Sequence, residues 1–337
     1  MRPDNGLPPA LTRRAVLLGG AVVLTGCTGT RTKAADGKSD RPEPTPSSRK
    51  PPPLPPPYEP PPGDALPNFK RVAGRFAQAL ATYDRPARAQ PVMPPEYTGS
   101  TASLAAAAAP LRDVDGWARA EVEFVQYGGL TPVSPRARSG VAMVVLRQVL
   151  TSPDGAVRAQ RRSLDVRLQQ VSGAWRVVQL ASSGGAVVTE PQSLSASARL
   201  VLDDRRLDLP DSARWDILSG QIAEPLLQVL VRLAGVTPLR VTALRTGHPE
   251  RVVDDRPSAP VSAHWLGRAV DINTLAGVSV AESPATVVRG VVEAAAALPM
   301  VAQVGAPPGM DLDGPGRRSF TNLVHADHLH VAVKETA

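Results

Sequence analysis

All five histidines of this 337-residue chain lie between His248 and His330, and four of them fall in two short clusters. The first cluster is Ser262-Ala263-His264-Trp265-Leu266-Gly267-Arg268-Ala269-Val270-Asp271, and the second is His325-Ala326-Asp327-His328-Leu329-His330. Neutral imidazoles plus a carboxylate are the donor set of catalytic zinc sites, where three protein groups leave a fourth position for water. His264, Asp271 and His330 supply such a set only if the fold returns the end of the chain to the side of residue 271. In a strand His328 and His330 share one face, because the side-chain period is two. A sheet that seats Asp271 and His330 on neighbouring strands would make both converge with His264.

The N-terminus is read first as an address. Arg13-Arg14 precede the apolar run from Ala15 to Leu24, which ends in Leu24-Thr25-Gly26-Cys27. The run is too short for an ordinary membrane span, and its basic flank fits a signal peptide. Thr12-Arg13-Arg14-Ala15-Val16-Leu17 resembles a twin-arginine export signal. Leu24-Thr25-Gly26-Cys27 resembles a bacterial lipobox, which implies cleavage before Cys27 and lipidation of its thiol at the outer face of the cell membrane. Cys27 is the only cysteine, so no intramolecular disulfide and no thiolate metal site can form. The net charge is +7 with only 4% aromatics, and no basic stripe interleaves with stacking residues, which argues against nucleic acid as a partner. An anionic wall or membrane surface is the natural counterpart.

Residues 28–65 read as a disordered Pro-rich tether. At about 3.1 Å per residue in polyproline II, roughly 20 residues would hold the folded part about 60 Å from its anchor. Residues 66–190 read as a first α+β domain: a helix from Phe69 to Tyr83, then strand-like runs over 120–127, 140–150, 156–171 and 175–181. Ser152-Pro153-Asp154-Gly155 marks a turn between two of them. The alternation in Ser163-Leu164-Asp165-Val166-Arg167-Leu168 fits a sheet with one wet face. This helix-plus-meander pattern loosely resembles the cystatin-like or NTF2-like folds of actinobacterial lipoproteins, and with no histidine it reads as a spacer or as a contact for a protein partner.

Residues 192–337 read as a second α+β domain. Helices are expected over 217–233 and 283–298, the latter opened by Ser283-Pro284, with strands over 239–244, 269–274, 301–304 and 328–333. His248, beside Pro249, reads as a core histidine in a turn, and Asp311-Leu312-Asp313-Gly314 as a turn rather than a calcium loop.

This second domain resembles the zinc D-alanyl-D-alanine peptidase superfamily, which shares its fold with hedgehog signalling domains and murein endopeptidases. The superfamily's first motif reads Ser-x-His-x-x-Gly-x-Ala-x-Asp, and Ser262, His264, Gly267, Ala269 and Asp271 match its defined positions. Its last motif is Glu-x-x-His or His-x-His, and Asp327-His328-Leu329-His330 presents the latter. The resemblance covers residues 239–333. It implies zinc on His264, Asp271 and His330, and activation of water for attack on a peptide carbonyl of a peptidoglycan stem peptide. It leaves the general base between His328, ranked first, and Asp327, with His325 behind them. It also implies a catalytic or substrate-gripping role for Arg245, and a substrate contact for Ser262. The alternative is a non-catalytic, zinc-containing wall-binding or scaffold lipoprotein.

Overall fold

The helix α1 (Pro67–Ala81) opens with proline at its first position, where the missing N–H costs nothing. Its apolar stripe of Phe69, Phe76 and Leu80 is fully buried. The computed structural model describes residues 50–84, 93–134, 137–251, 260–312 and 318–335. The signal segment, Cys27, residues 28–49 and Asp313-Gly314 lie outside them. After α1 come α2 (Thr101–Ala108) and four strands, β1 (Trp117–Ser134), β2 (Ala137–Thr151), β3 (Val157–Val171) and β4 (Ala174–Ser182). These pair in sequence order as an antiparallel meander. The expected turn after β2 is present, with Gly155 at φ 90°. Phe69 of α1 packs edge-on against Tyr127 and Trp175 at centroid distances of 5.6 and 4.9 Å, centring the first core.

The second half contains α3 (Ala196–Asp203), β5 (Leu207–Asp208), α4 (Asp211–Leu218), α5 (Glu224–Ala234), β6 (Leu239–Ala243), β7 (Ala269–Leu275), β8 (Val278–Ser279), α6 (Ala285–Ala297), β9 (Val301–Ala306), β10 (Ser319–Thr321) and β11 (Leu329–Val333). They form a seven-stranded mixed sheet, ordered β10-β9-β11-β7-β6-β5, with β8 beside β7. Both halves are therefore α+β. One face of this sheet, with Val241, Val270, Ile272, Val304 and Val331, shares a core with α3, α5 and α6. The alternate positions, Thr242, Asp271 and His330, face the opposite way, as the period of two requires.

Residues 48–337 make one compact unit, and the two sheets meet inside it. The middle of the meander's second face is not wet. Ser163 is fully buried and donates its hydroxyl to Thr242 O at 2.5 Å, while its N–H donates to Ser212 Oγ at 3.0 Å. Ser163, and Arg161 through Asp208 of β5, find partners on the other sheet rather than in water.

Three further expectations differ from the structure. The helix expected over 217–233 is two helices, α4 and α5, because Gly220 sits at φ 67° and Pro225 takes the second position of α5, where a continuing helix would clash. The helix α6 starts at Ala285, with Pro284 outside it as the flanking residue. The Pro-rich run is also not free where it is described. Gln78 of α1 donates to Pro56 O and accepts from Tyr58 N, both at 2.8 Å, and Arg119 donates to Pro52 O at 2.7 Å. Residues 50–65 are thus a strap held on the first layer, since polyproline II leaves its carbonyls open to donors.

Candidate metal centre

The register places His330 of β11 directly opposite Asp271 of β7, and Ala243 of β6 on its other side. His264 arrives from a tight turn before β7. Leu266 N bonds Ser262 O at 3.2 Å, Gly267 N bonds His264 O at 2.8 Å, and Arg268 N bonds Ala263 O at 2.7 Å. Gly267 has φ 66°, and a Cβ there would strike the backbone carbonyl of Gln221, so this position needs glycine twice over. Ser262 Oγ accepts from His264 N at 3.2 Å and closes the turn.

Three donor atoms converge. His264 Nε2 lies 3.1 Å from Asp271 Oδ1 and 3.1 Å from His330 Nδ1, and His330 Nδ1 lies 2.9 Å from Asp271 Oδ1. His264 and Asp271 are each 1% exposed. His264 Nδ1 is 2.5 Å from Leu244 O, and a carbonyl only accepts, so Nδ1 carries the proton. In the neutral ring Nε2 is then a lone pair, aimed at a carboxylate oxygen. Two buried acceptors face each other with only the His330 Nδ1 hydrogen available to one of them, an arrangement that a metal cation satisfies.

Two more histidines flank the triangle. His248 stacks on His264 with centroids 3.9 Å apart, and its Nε2 is 3.9 Å from Asp271 Oδ2. His248, His264 and Asp271 offer ligand atoms within 4.8 Å of one another and could hold a metal ion. On the other side His328 Nε2 is 4.0 Å from Asp271 Oδ1, while its Nδ1 is 2.8 Å from Asp327 Oδ1. Asp327 Oδ2 accepts from Lys70 Nζ of α1 at 2.5 Å, and Lys70, fully buried, also pairs with Asp64 at the end of the strap. Both Asp327 oxygens are engaged, so its carboxylate orients His328 rather than facing the triangle.

The electrostatics follow from burial and crowding. Burial works to raise the Asp271 carboxyl, but His264, His330 and His328 together hold it well below the usual carboxylate range. Asp327 is likewise below its usual range against the pull of burial, through His328 and Lys70. Burial pushes His248 and His330 down, and His325 down to about 3 with His328 and His330 adding to the effect. These imidazoles are neutral at pH 7, the form that ligates metals.

A cavity of about 240 Å³ opens onto the triangle. Its walls include Asp271 and His330 from β7 and β11, Ser262, His264, His325 and His328 from the segments that precede those strands, and Gln126, Gly128 and Met143 from β1 and β2. His325 stands behind the ligands with its Nδ1 2.7 Å from Asn322 Oδ1. Arg245 is not in the cavity wall. Its guanidinium lies 4.5 Å over the Trp265 ring and its Nε donates to Trp265 O at 2.8 Å, with Gln221 as a further partner. What the strand end after β6 contributes is backbone: Asp216 accepts from Arg245 N and Thr246 N at 3.0 and 2.8 Å and pins the turn that delivers Leu244 O and His248.

Sequence reasoning missed His248, Gln126 and Lys70. The confinement of every histidine to one stretch was a signal for the first. The other two are isolated polar residues in apolar periodic segments, with no spacing to mark them.

No protein-family model, curated protein or solved structure matches this chain.

Proposed function

We propose that this chain is an exported, lipid-anchored zinc metallopeptidase that hydrolyses D-amino-acid peptide bonds in peptidoglycan stem peptides. The observation that carries this reading is the buried triangle of His264 Nε2, Asp271 Oδ1 and His330 Nδ1, with sides of 2.9–3.1 Å. Its members occupy the ligand positions of the two motifs that resemble the zinc D-alanyl-D-alanine peptidases. A tetrahedral zinc with bonds of 2.0–2.2 Å separates its ligands by about 3.3–3.6 Å, so a relaxation of a few tenths of an ångström accommodates the ion. The oxygen and nitrogen donor set, without sulfur, suits zinc with an open position. The mixed sheet backed by α3, α5 and α6 supports a peptidase-type fold for residues 192–337, and two helices on a four-stranded meander support a cystatin-like or NTF2-like fold for residues 66–190.

Held by His264, Asp271 and His330, zinc would polarise a carbonyl and lower the pKa of a bound water to about 7. The chain's own groups do the rest. His328 Nε2 takes the proton of the attacking water and returns it to the leaving amine. Asp327, bonded to His328 Nδ1 at 2.8 Å, keeps Nε2 turned inward and stabilises the imidazolium. Leu244 O fixes the tautomer of His264. Ser262, 2% exposed on the cavity wall, stands 3.4 Å from His248 Nδ1, and the two give the substrate a polar edge. The lipid on Cys27 anchors the enzyme at the outer face of the membrane.

The test is mass spectrometry of purified muropeptides incubated with the zinc-loaded chain beginning at residue 28, beside His330→Ala and His328→Ala. Loss of a terminal alanine, or splitting of a cross-linked dimer, by the unaltered protein alone is expected. No product across a panel of stems would replace the peptidase with a wall-binding module.

A further inference from the structure

The first layer holds no histidine, yet one of its side chains touches a ligand of the triangle. Gln126 of β1 donates from Nε2 to Asp271 Oδ2 at 2.5 Å. Thr242 Oγ1 shares its single hydrogen between Gln126 Oε1 at 3.1 Å and Asp271 O at 3.3 Å, and the carboxylate, which only accepts, fixes the amide with its NH₂ towards Asp271. Gln126 and Thr242 are each 1% exposed. The neighbours Val125 and Tyr127 point the other way, into the core under α1, so the strand cannot slip without burying Gln126 among apolar groups. Across the strand pair Gln126 stands opposite Met143, and both line the cavity.

We infer that Gln126 is a positioning residue of the metal centre, and that the first layer completes that centre rather than spacing it from the membrane. This rests on the zinc reading above. With Oδ2 held by the Gln126 amide, Asp271 presents Oδ1 alone to the triangle, so the carboxylate binds through one oxygen and the remaining position stays open for water and substrate. Without the amide, Asp271 is free to rotate and offer both oxygens, which fills the open position and weakens the match to His264 and His330. Groups that orient a metal ligand in this way change affinity about 10–100-fold when removed.

The test is a pair of titrations on the chain beginning at residue 28: zinc dissociation constants by chelator competition, and the visible spectrum of the cobalt(II)-substituted protein, which reads ligand number and geometry independently of turnover. Gln126→Leu, close in size but without hydrogen-bonding groups, is expected to weaken zinc about 10–100-fold and to alter the cobalt bands. Thr242→Val, which frees the amide to turn, shifts both in the same direction by less. Ser163→Ala loosens the same seam without touching the carboxylate, and retains the zinc affinity and the cobalt spectrum of the unaltered protein. Unchanged affinity and spectrum in Gln126→Leu would overturn the inference, as would an equal loss in Ser163→Ala. If circular dichroism shows Gln126→Leu misfolded, Thr242→Val decides, and unaltered zinc binding there overturns it. Failure of the unaltered chain to take up zinc or cobalt would instead remove the zinc reading itself.

Discussion

The two sheets divide the work at the proposed metal centre unequally. The second half carries the proposed ligands, and each is legible because its chemistry and its spacing coincide: Asp271 and His330 lie opposite each other on β7 and β11, and His264 sits in a glycine-dependent turn. The meander supplies groups that hold those residues in place, Gln126 on Asp271 and Lys70 on Asp327. Such groups have no motif. A ligand must be one of a few residue types, whereas a positioning group needs only a donor or acceptor at the correct place in space.

The comparison is broken most directly by removing a ligand. Asp271→Ala or His264→Ala is expected to lose stoichiometric zinc altogether, read by metal analysis after gel filtration. If either retained full zinc, the triangle would not be the site. The next largest effect belongs to the meander. Lys70→Met leaves Asp64 and Asp327 buried without their shared cation, and breaking a buried ion pair costs about 3–5 kcal/mol, read by denaturant unfolding of the metal-free protein. An effect below about 1 kcal/mol would class Lys70 with surface pairs and detach α1 from the proposed His328–Asp327 dyad.

A pH series sharpens the contrast, because the titrating imidazoles all sit on one side of it. His325 has its folded value pushed from 6.5 to about 3, and His248 and His330 are lowered too. Between those limits the unfolded chain binds more protons than the folded one, so stability rises with pH. The metal-free protein should hold a plateau in Tm above about pH 6.5 and lose it progressively as pH falls towards 3. His325→Gln should flatten that slope, with calorimetry as the check. The smallest effect is expected at Arg245. Its guanidinium stacks on Trp265 outside the cavity, so Arg245→Ala should leave zinc affinity unchanged and cost about 0.5–1 kcal/mol of stability. A large fall in kcat with normal zinc content would return Arg245 to the site.

What could be read from the sequence follows periodicity. The helix α1, the four strands of the meander and the strands β6, β7, β9 and β11 all show their period of 3.6 or 2. The α4–α5 break was hidden, since an apolar period runs across Gly220 and Pro225 with little interruption. The helix α2 escaped because an alanine run has no apolar stripe, and only the cap from Ser100 Oγ to Ser103 N marks its start. The alternation in β3 was correctly a sheet, but its polar face met a second sheet instead of water. Sequence alternation reports polarity, and a buried polar face with partners has the same pattern as a solvated one. The strap was misjudged for a related reason: Pro52 and Pro56 expose carbonyls, and Arg119 and Gln78 wait for them from distant positions.

The most direct measurement is a crystal structure of the zinc-loaded protein with anomalous diffraction at the zinc edge. The account predicts one zinc peak at about 2.0–2.2 Å from His264 Nε2, Asp271 Oδ1 and His330 Nδ1, with Gln126 still bonded to Asp271 Oδ2 and one position open. A peak ligated by His248 in place of His330, or zinc bound elsewhere with the triangle empty, would contradict it.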